Sequence, residues 1–188
     1  MPNLLIRKSF TLAEIMMAVM VTVILVVGLF NYNTICQMAY SLGVSGLSLQ
    51  DGAHTILARM TQGSPEPGGS YSLQQGVSYC VGSGINCATV NTGELHFWGM
   101  DGIERWYRLN TARNVVEYYH PTAAFPLGDY ETLYVAPPGA AMTLFFWIPS
   151  GSVNPSATVG MNISLAQTVA GKTVSGFAQT QVNLRNHP

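Results

Sequence analysis

Residues 10–30, FTLAEIMMAVMVTVILVVGLF, hold a single ionisable side chain, Glu14, in 21 positions, and the reading of this stretch decides the fold. As a helix rising about 1.5 Å per residue it is roughly 30 Å long, the thickness of a bilayer's hydrocarbon core. The apolar core of a cleavable secretory signal is shorter, usually about 7–15 residues, so the stretch reads as a retained anchor. Arg7 and Lys8 precede it, and no Lys or Arg follows until Arg59. A basic flank belongs on the cytoplasmic side, which puts the N-terminus there and everything beyond Phe30 outside.

Beyond the anchor the helix is expected to continue. Ile35, Ala39, Leu42, Gly46, Leu49, Ala53, Ile56 and Met60 alternate spacings of four and three, a stripe along one helix face. Gln37, Ser41, Ser45, Ser48, Gln50, Asp51, His54 and Arg59 make the opposite side polar, so this half is amphipathic and should dock on a globular core. Gly43, Gly46 and Gly52 weaken an isolated helix, and packing must hold it straight. Gly63-Ser64-Pro65-Glu66-Pro67-Gly68-Gly69-Ser70 should end it.

Short strands are then expected near Val77–Val81, Glu94–Trp98, Glu104–Leu109, Asn114–Tyr119, Thr132–Ala136, Met142–Ile148, Val159–Ala166 and Phe177–Leu184. Turns are expected at Gly99–Gly102 and Asn110–Arg113, and extended loops near Pro121–Asp129 and Pro149–Pro155. Closely spaced strands joined by short turns imply an antiparallel sheet, and with the long helix this makes an α+β fold.

Charge and motif content narrow the function. The net charge is −1 with scattered basic residues, which gives no electrostatic footprint for nucleic acid. Cys80 and Cys87 flank Val81-Gly82-Ser83-Gly84, a segment able to turn, so a short-loop disulfide fits an exported domain. Cys36, just past the anchor, reads as a buried free thiol. His54, His96, His120 and His187 show no metal-ligand spacing and read as surface or turn histidines; no metal or other cofactor is implied. The acids from Glu94 to Glu131 form no calcium-loop series, and Ser150 lacks the context of a nucleophile elbow. Trp98, Trp106 and Trp147 read as sheet core.

Glu14 by itself leaves several readings open. An ionised carboxylate in a membrane span costs at least a couple of kcal/mol, about what the insertion scales give, unless it is partnered. It can snorkel to the headgroups, be protonated, or meet a cation on a neighbouring helix. Read together, Arg7-Lys8-Ser9-Phe10-Thr11-Leu12-Ala13-Glu14 resembles the leader junction of type IV pilins and type II secretion pseudopilins, and the resemblance extends to about Met60. The closing Val182-Asn183-Leu184-Arg185-Asn186 and the Trp106-Tyr107-Arg108-Leu109 stretch are similar to J-type minor pseudopilins and related minor pilins.

The resemblance implies cleavage between Ser9 and Phe10 by a prepilin peptidase at the inner-membrane cytoplasmic face, N-methylation of Phe10, and assembly with other pilins through the helix. Glu14 would then neutralise the α-amino group of a neighbouring subunit. Where the family has glycine before the cut, this chain has Ser9. The expected organisation is a leader (1–9), the pilin helix (10–62), a linker (63–75) and a β domain (76–188), serving a structural role rather than an enzymatic one. A membrane-anchored adhesive or carbohydrate-binding module would instead show a solvent-facing aromatic platform. An anchored periplasmic enzyme would show convergent polar side chains in a cleft.

Overall fold

The computed structural model describes residues 11–63, 71–81, 93–122, 125–149 and 158–185. It has an α+β fold, in which one long helix, α1 (Leu12–Gln62), packs on antiparallel sheets. A single 3-10 turn (Leu73–Gln75) leads into eight strands. These are β1 (Gly76–Val81), β2 (Glu94–Gly99), β3 (Glu104–Asn110), β4 (Val115–Thr122), β5 (Phe125–Val135), β6 (Ala140–Trp147), β7 (Thr158–Val169) and β8 (Lys172–Asn183). By contacts the chain divides into two compact units, Met1–Ser41 and Leu42–Pro188.

Local chemistry sets both helix ends. Thr11 and Glu14 cap the start, as described below. At the other end Gly63 takes φ 78° and donates its N–H to Arg59 O at 2.9 Å, a left-handed cap that satisfies an orphan carbonyl and stops α1. In the first unit every described residue from Thr11 to Tyr40 is exposed.

In the second unit the strands form two meanders, β1-β2-β3-β4-β5 and β6-β7-β8. The single expected sheet is therefore two. Pro137 and Pro138 sit between β5 and β6, and neither can donate to a ladder, so the chain leaves one sheet before starting the other. Leu95, Phe97, Tyr107, Val116, Tyr118 and Leu133 of the first sheet share one core with Leu144, Phe146, Met161, Ile163 and Val182 of the second. Leu49, Ala53, Ile56, Leu57 and Met60 of α1 complete it. The hydroxyl of buried Tyr107 donates to Tyr71 O at 2.7 Å, and that of half-buried Tyr79 to Thr158 O at 2.6 Å, so both have their polar ends satisfied.

The helix stripe is docked over less of its length than its period suggests. Ile35 and Ala39 are exposed, Leu42 and Gly46 are half-buried, and full burial starts at Leu49. Two residues of its polar side turn out to be docking groups. The Gln50 carboxamide donates to Phe177 O (2.8 Å) and accepts from Phe177 N–H (3.0 Å), pairing with the open edge of β8 as a strand would. Arg59 donates to Leu133 O on β5, the opposite sheet's edge, at 2.6 Å.

The expected loop at Pro121–Asp129 is instead the tip of the β4–β5 hairpin. Pro121 coincides with a register irregularity between His120 and Thr122, and Pro126 lies on edge strand β5; both are places where a sheet accepts a residue without an N–H. The expected turns at Gly99–Gly102 and Asn110–Arg113 connect β2 to β3 and β3 to β4. Strand β8 starts at Lys172, five residues before the expected Phe177, because Ala170 and Gly171 (φ 50° and 76°) make a two-residue hairpin turn. Pro149 is described, and the rest of the Pro149–Pro155 loop lies outside the described residues.

Candidate functional site

Ser9 and Phe10 lie outside the described residues, and the helix start that carries Glu14 is described from Thr11 onward. Thr11-Leu12-Ala13-Glu14 forms a capping box. The Glu14 Oε2 accepts from Thr11 N–H at 2.9 Å and from the Thr11 hydroxyl at 3.0 Å, while Glu14 N–H donates to Thr11 Oγ1 at 3.3 Å. This Thr-x-x-Glu spacing is a local helix-start signal that the sequence reading did not single out. Among the described residues Glu14 Oε1 takes no hydrogen bond, so half the carboxylate remains for a cation.

From Glu14 an apolar groove runs along the helix, lined by Ile15, Ala18, Val19, Thr22, Val23 and Val26. The Thr22 hydroxyl donates to Ala18 O at 2.7 Å, which removes the next polar group of the span from the surface chemistry. The helix is long and apolar enough to cross a membrane. Its small and β-branched side chains at spacings of three and four suit close packing of another helix.

Cys80 is buried in β1 and disulfide-bonded; Cys87 lies outside the described residues. Cys36 is free but exposed, not buried as expected, because α1 has no packing partner at that position within this chain. Ser150 and His187 also lie outside the described residues.

The outer face of the five-stranded sheet carries a side-chain cluster that sequence reading missed. His96 is 6% exposed rather than on the surface, with Nδ1 2.7 Å from Glu104 Oε1 and Nε2 3.0 Å from Glu94 Oε1. Register explains it: His96 pairs with Trp106, Trp106 with Tyr119 and Tyr119 with Tyr130, so one row crosses four strands. Trp106 is held between the rings of His96 (5.0 Å) and Tyr119 (3.4 Å). Beside it Arg108 bonds Glu117 at 2.8 Å and lies 3.9 Å over Tyr130. Trp106 therefore stands on the sheet's outer face, not in the core as expected. Trp147 also stands outside the core, on the outer face of β6. No group of three or more His, Cys, Asp or Glu that could hold a metal occurs among the described residues.

A cleft of about 650 Å³ opens where Glu94 and the β3–β4 turn face β6, lined by Arg108, Asn110, Thr111, Met142 and Phe145 among others. Its two charged lining residues already have partners beyond the lining, Arg108 in Glu117 and Glu94 in His96. In three comparisons, no family model, no curated protein and no solved structure matches the chain.

Proposed function

We propose that this chain is a type IV pilin-like subunit, a minor pilin or pseudopilin, anchored in the bacterial inner membrane by α1 and drawn into a filament through that helix. The observation that carries the reading is the apolar helix surface from Leu12 to Tyr40, which is exposed throughout and bears its one acid in the first turn. A surface of that kind is stable only in lipid or against other apolar helices. The resemblance of Arg7 to Glu14 to a prepilin junction supplies the processing step, with Ser9 and Phe10 flanking the cut and a prepilin peptidase and N-methyltransferase as the partner. A disulfide at Cys80, with Cys87 as its other half, suits an extracytoplasmic β domain.

In this reading Glu14 has two roles, carried by its two oxygens. Oε2 closes the capping box, and Oε1 meets the α-amino group of Phe10 on a neighbouring subunit. The mass of the membrane-extracted protein tests processing: loss of Met1 to Ser9 and gain of a methyl group are expected, and a mature pool retaining Met1 would sink the reading. Glu14→Gln tests assembly. It keeps a carbonyl oxygen for the capping box but removes the charge, so insertion should be unchanged while co-purification with partner subunits falls sharply. Breaking one side of a buried ion pair costs about 3–5 kcal/mol, roughly two to four orders of magnitude in docking. Partner recovery at wild-type levels would show that Glu14 only caps the helix.

A further inference from the structure

We propose that the outer face of the β6-β7-β8 sheet is a binding platform for a neutral glycan, with the indole of Trp147 as its stacking plane. The first observation is the position of that ring. A Cβ built on Gly160 would strike Trp147 at Cε2, with Cζ2 and Cδ2 nearly equidistant at 2.5 and 2.6 Å. A contact centred on one ring atom with its two neighbours equally far is that of a ring seen face-on, so the indole lies flat over Gly160. Only glycine leaves room for it. One face of the indole thus lies against the Gly160 backbone, and the side chain is partly exposed.

Trp106 shows why this arrangement is distinctive. Its two faces are both occupied, by His96 and Tyr119, so it can stack nothing further. Trp147 stacks on no other ring among the described residues and is partly exposed, and on the same sheet surface Phe145 and Phe177 are 39% and 50% exposed.

The second observation is charge. Odd positions of β6 from Ala141 to Trp147, even positions of β7 from Gly160 to Thr168, and odd positions of β8 from Thr173 to Asn183 form this face, and none is Asp, Glu, Lys, Arg or His. The outer face of the other sheet, by contrast, carries Glu94, His96, Glu104, Arg108 and Glu117. A surface that merely contacts water normally mixes charges of both signs. Here solvation is left to hydroxyls and carboxamides. Gln181 pairs with Gly160 directly across from Trp147, and the adjacent row is Phe145, Asn162 and Gln179.

The chemistry that fits is a sugar without charged groups. Its C–H faces pack on an aromatic ring, and its hydroxyls, each both donor and acceptor, match carboxamides that offer two N–H donors and a carbonyl acceptor. An anionic or cationic ligand finds no opposite charge on this face. The sheet's other face is taken by α1, through Gly176 against Leu49, and the β8 edge at Phe177 is closed by Gln50. The outer face is thus the side of this sheet left for a ligand, and the proposal does not depend on filament assembly.

The test uses the full chain in a zwitterionic detergent without a sugar headgroup, titrated with cellohexaose, maltohexaose and chitohexaose and followed by tryptophan fluorescence and calorimetry. Saturable binding of at least one hexasaccharide, insensitive to salt, is expected, with affinity roughly tenfold lower or worse in Trp147→Ala. Because removing the indole uncovers Gly160, the double variant Gln179→Ala, Gln181→Ala, at exposed positions, decides the matter if Trp147→Ala does not fold; it too should bind several-fold more weakly. Failure of all three sugars to bind, as for a surface that seats a protein, overturns the proposal. So does binding unchanged in both variants, or binding confined to the polyanion dextran sulfate.

Discussion

Asp101, in the turn between β2 and β3, grips Arg105 with both carboxylate oxygens, at 2.5 and 2.9 Å, and accepts the Ile103 N–H at 3.0 Å. The hydrogen-bonded guanidinium is the main cause that holds its carboxyl down at about 2. Arg105 itself is buried and lies 4.2 Å over the Tyr71 ring, so losing its partner leaves a charge inside the hairpin. A carboxyl depressed in the folded state stabilises fully above its unfolded value of about 3.9, and that contribution is lost as pH falls toward 2. Asp101→Asn is therefore expected to unfold more easily than wild type at neutral pH, with the gap in urea midpoint closing between about pH 4 and pH 2. A gap constant across that window would show that the ion pair contributes nothing; solvent exposure of Asp101 keeps the expected effect modest. How much of a site the sequence reveals depends on whether its members are near neighbours. Thr11 and Glu14 sit one helical turn apart, so their capping box lies within one short segment, although the sequence reading took Glu14 only as a charge in the span. His96 and Glu104 are brought together only by the β2–β3 register, which no single segment encodes, so His96 reads as an ordinary surface histidine.

Between elements, the decisive contact is where α1 crosses β8. A Cβ on Gly176 would meet the backbone of Leu49 and Gln50, so the absence of a side chain sets the distance between helix and strand. Gly176→Ala is expected to force the helix outward, break the Gln50–Phe177 pair and cost about 1–3 kcal/mol, as overpacking of a tight core does. Gly43 is the internal control, since a Cβ there meets nothing within 4 Å. Gly43→Ala should stabilise by up to about 1 kcal/mol through helix propensity alone. Chemical unfolding of both variants checks the pair, and equal effects would refute the close-approach argument. The stripe from Ile35 to Met60 was readable because its period belongs to the helix itself. Where docking begins was not, because that depends on how far the sheets reach. The hairpin turn at Ala170-Gly171 escaped notice for a related reason: alanine is an uncommon occupant of the left-handed region, and here the pairing of β7 with β8 imposes it.

For the whole molecule, the two units make different demands on their surroundings. Thr11 to Tyr40 buries nothing within this chain, whereas Leu49, Ile56, Leu57 and Met60 are 5% exposed or less in the core of the second unit. At about 1.5–3 kcal/mol for each fully buried large side chain, these four contribute roughly 6–12 kcal/mol, as much as the net stability of an ordinary domain. The helix is thus divided by function along its length, with its first part available for lipid or other helices and its last part belonging to the β domain. A protein beginning at Leu42 is expected to be soluble and to unfold cooperatively in urea, because it loses none of the buried helix residues. One beginning at Tyr71 should fail to fold, since the sheets lose the helix side chains that cover their inner faces. Circular dichroism with urea titration of the two proteins separates the outcomes. Cooperative unfolding of the shorter one would mean that α1 rests on a β domain already complete without it, and the division of the helix argued here would then be wrong.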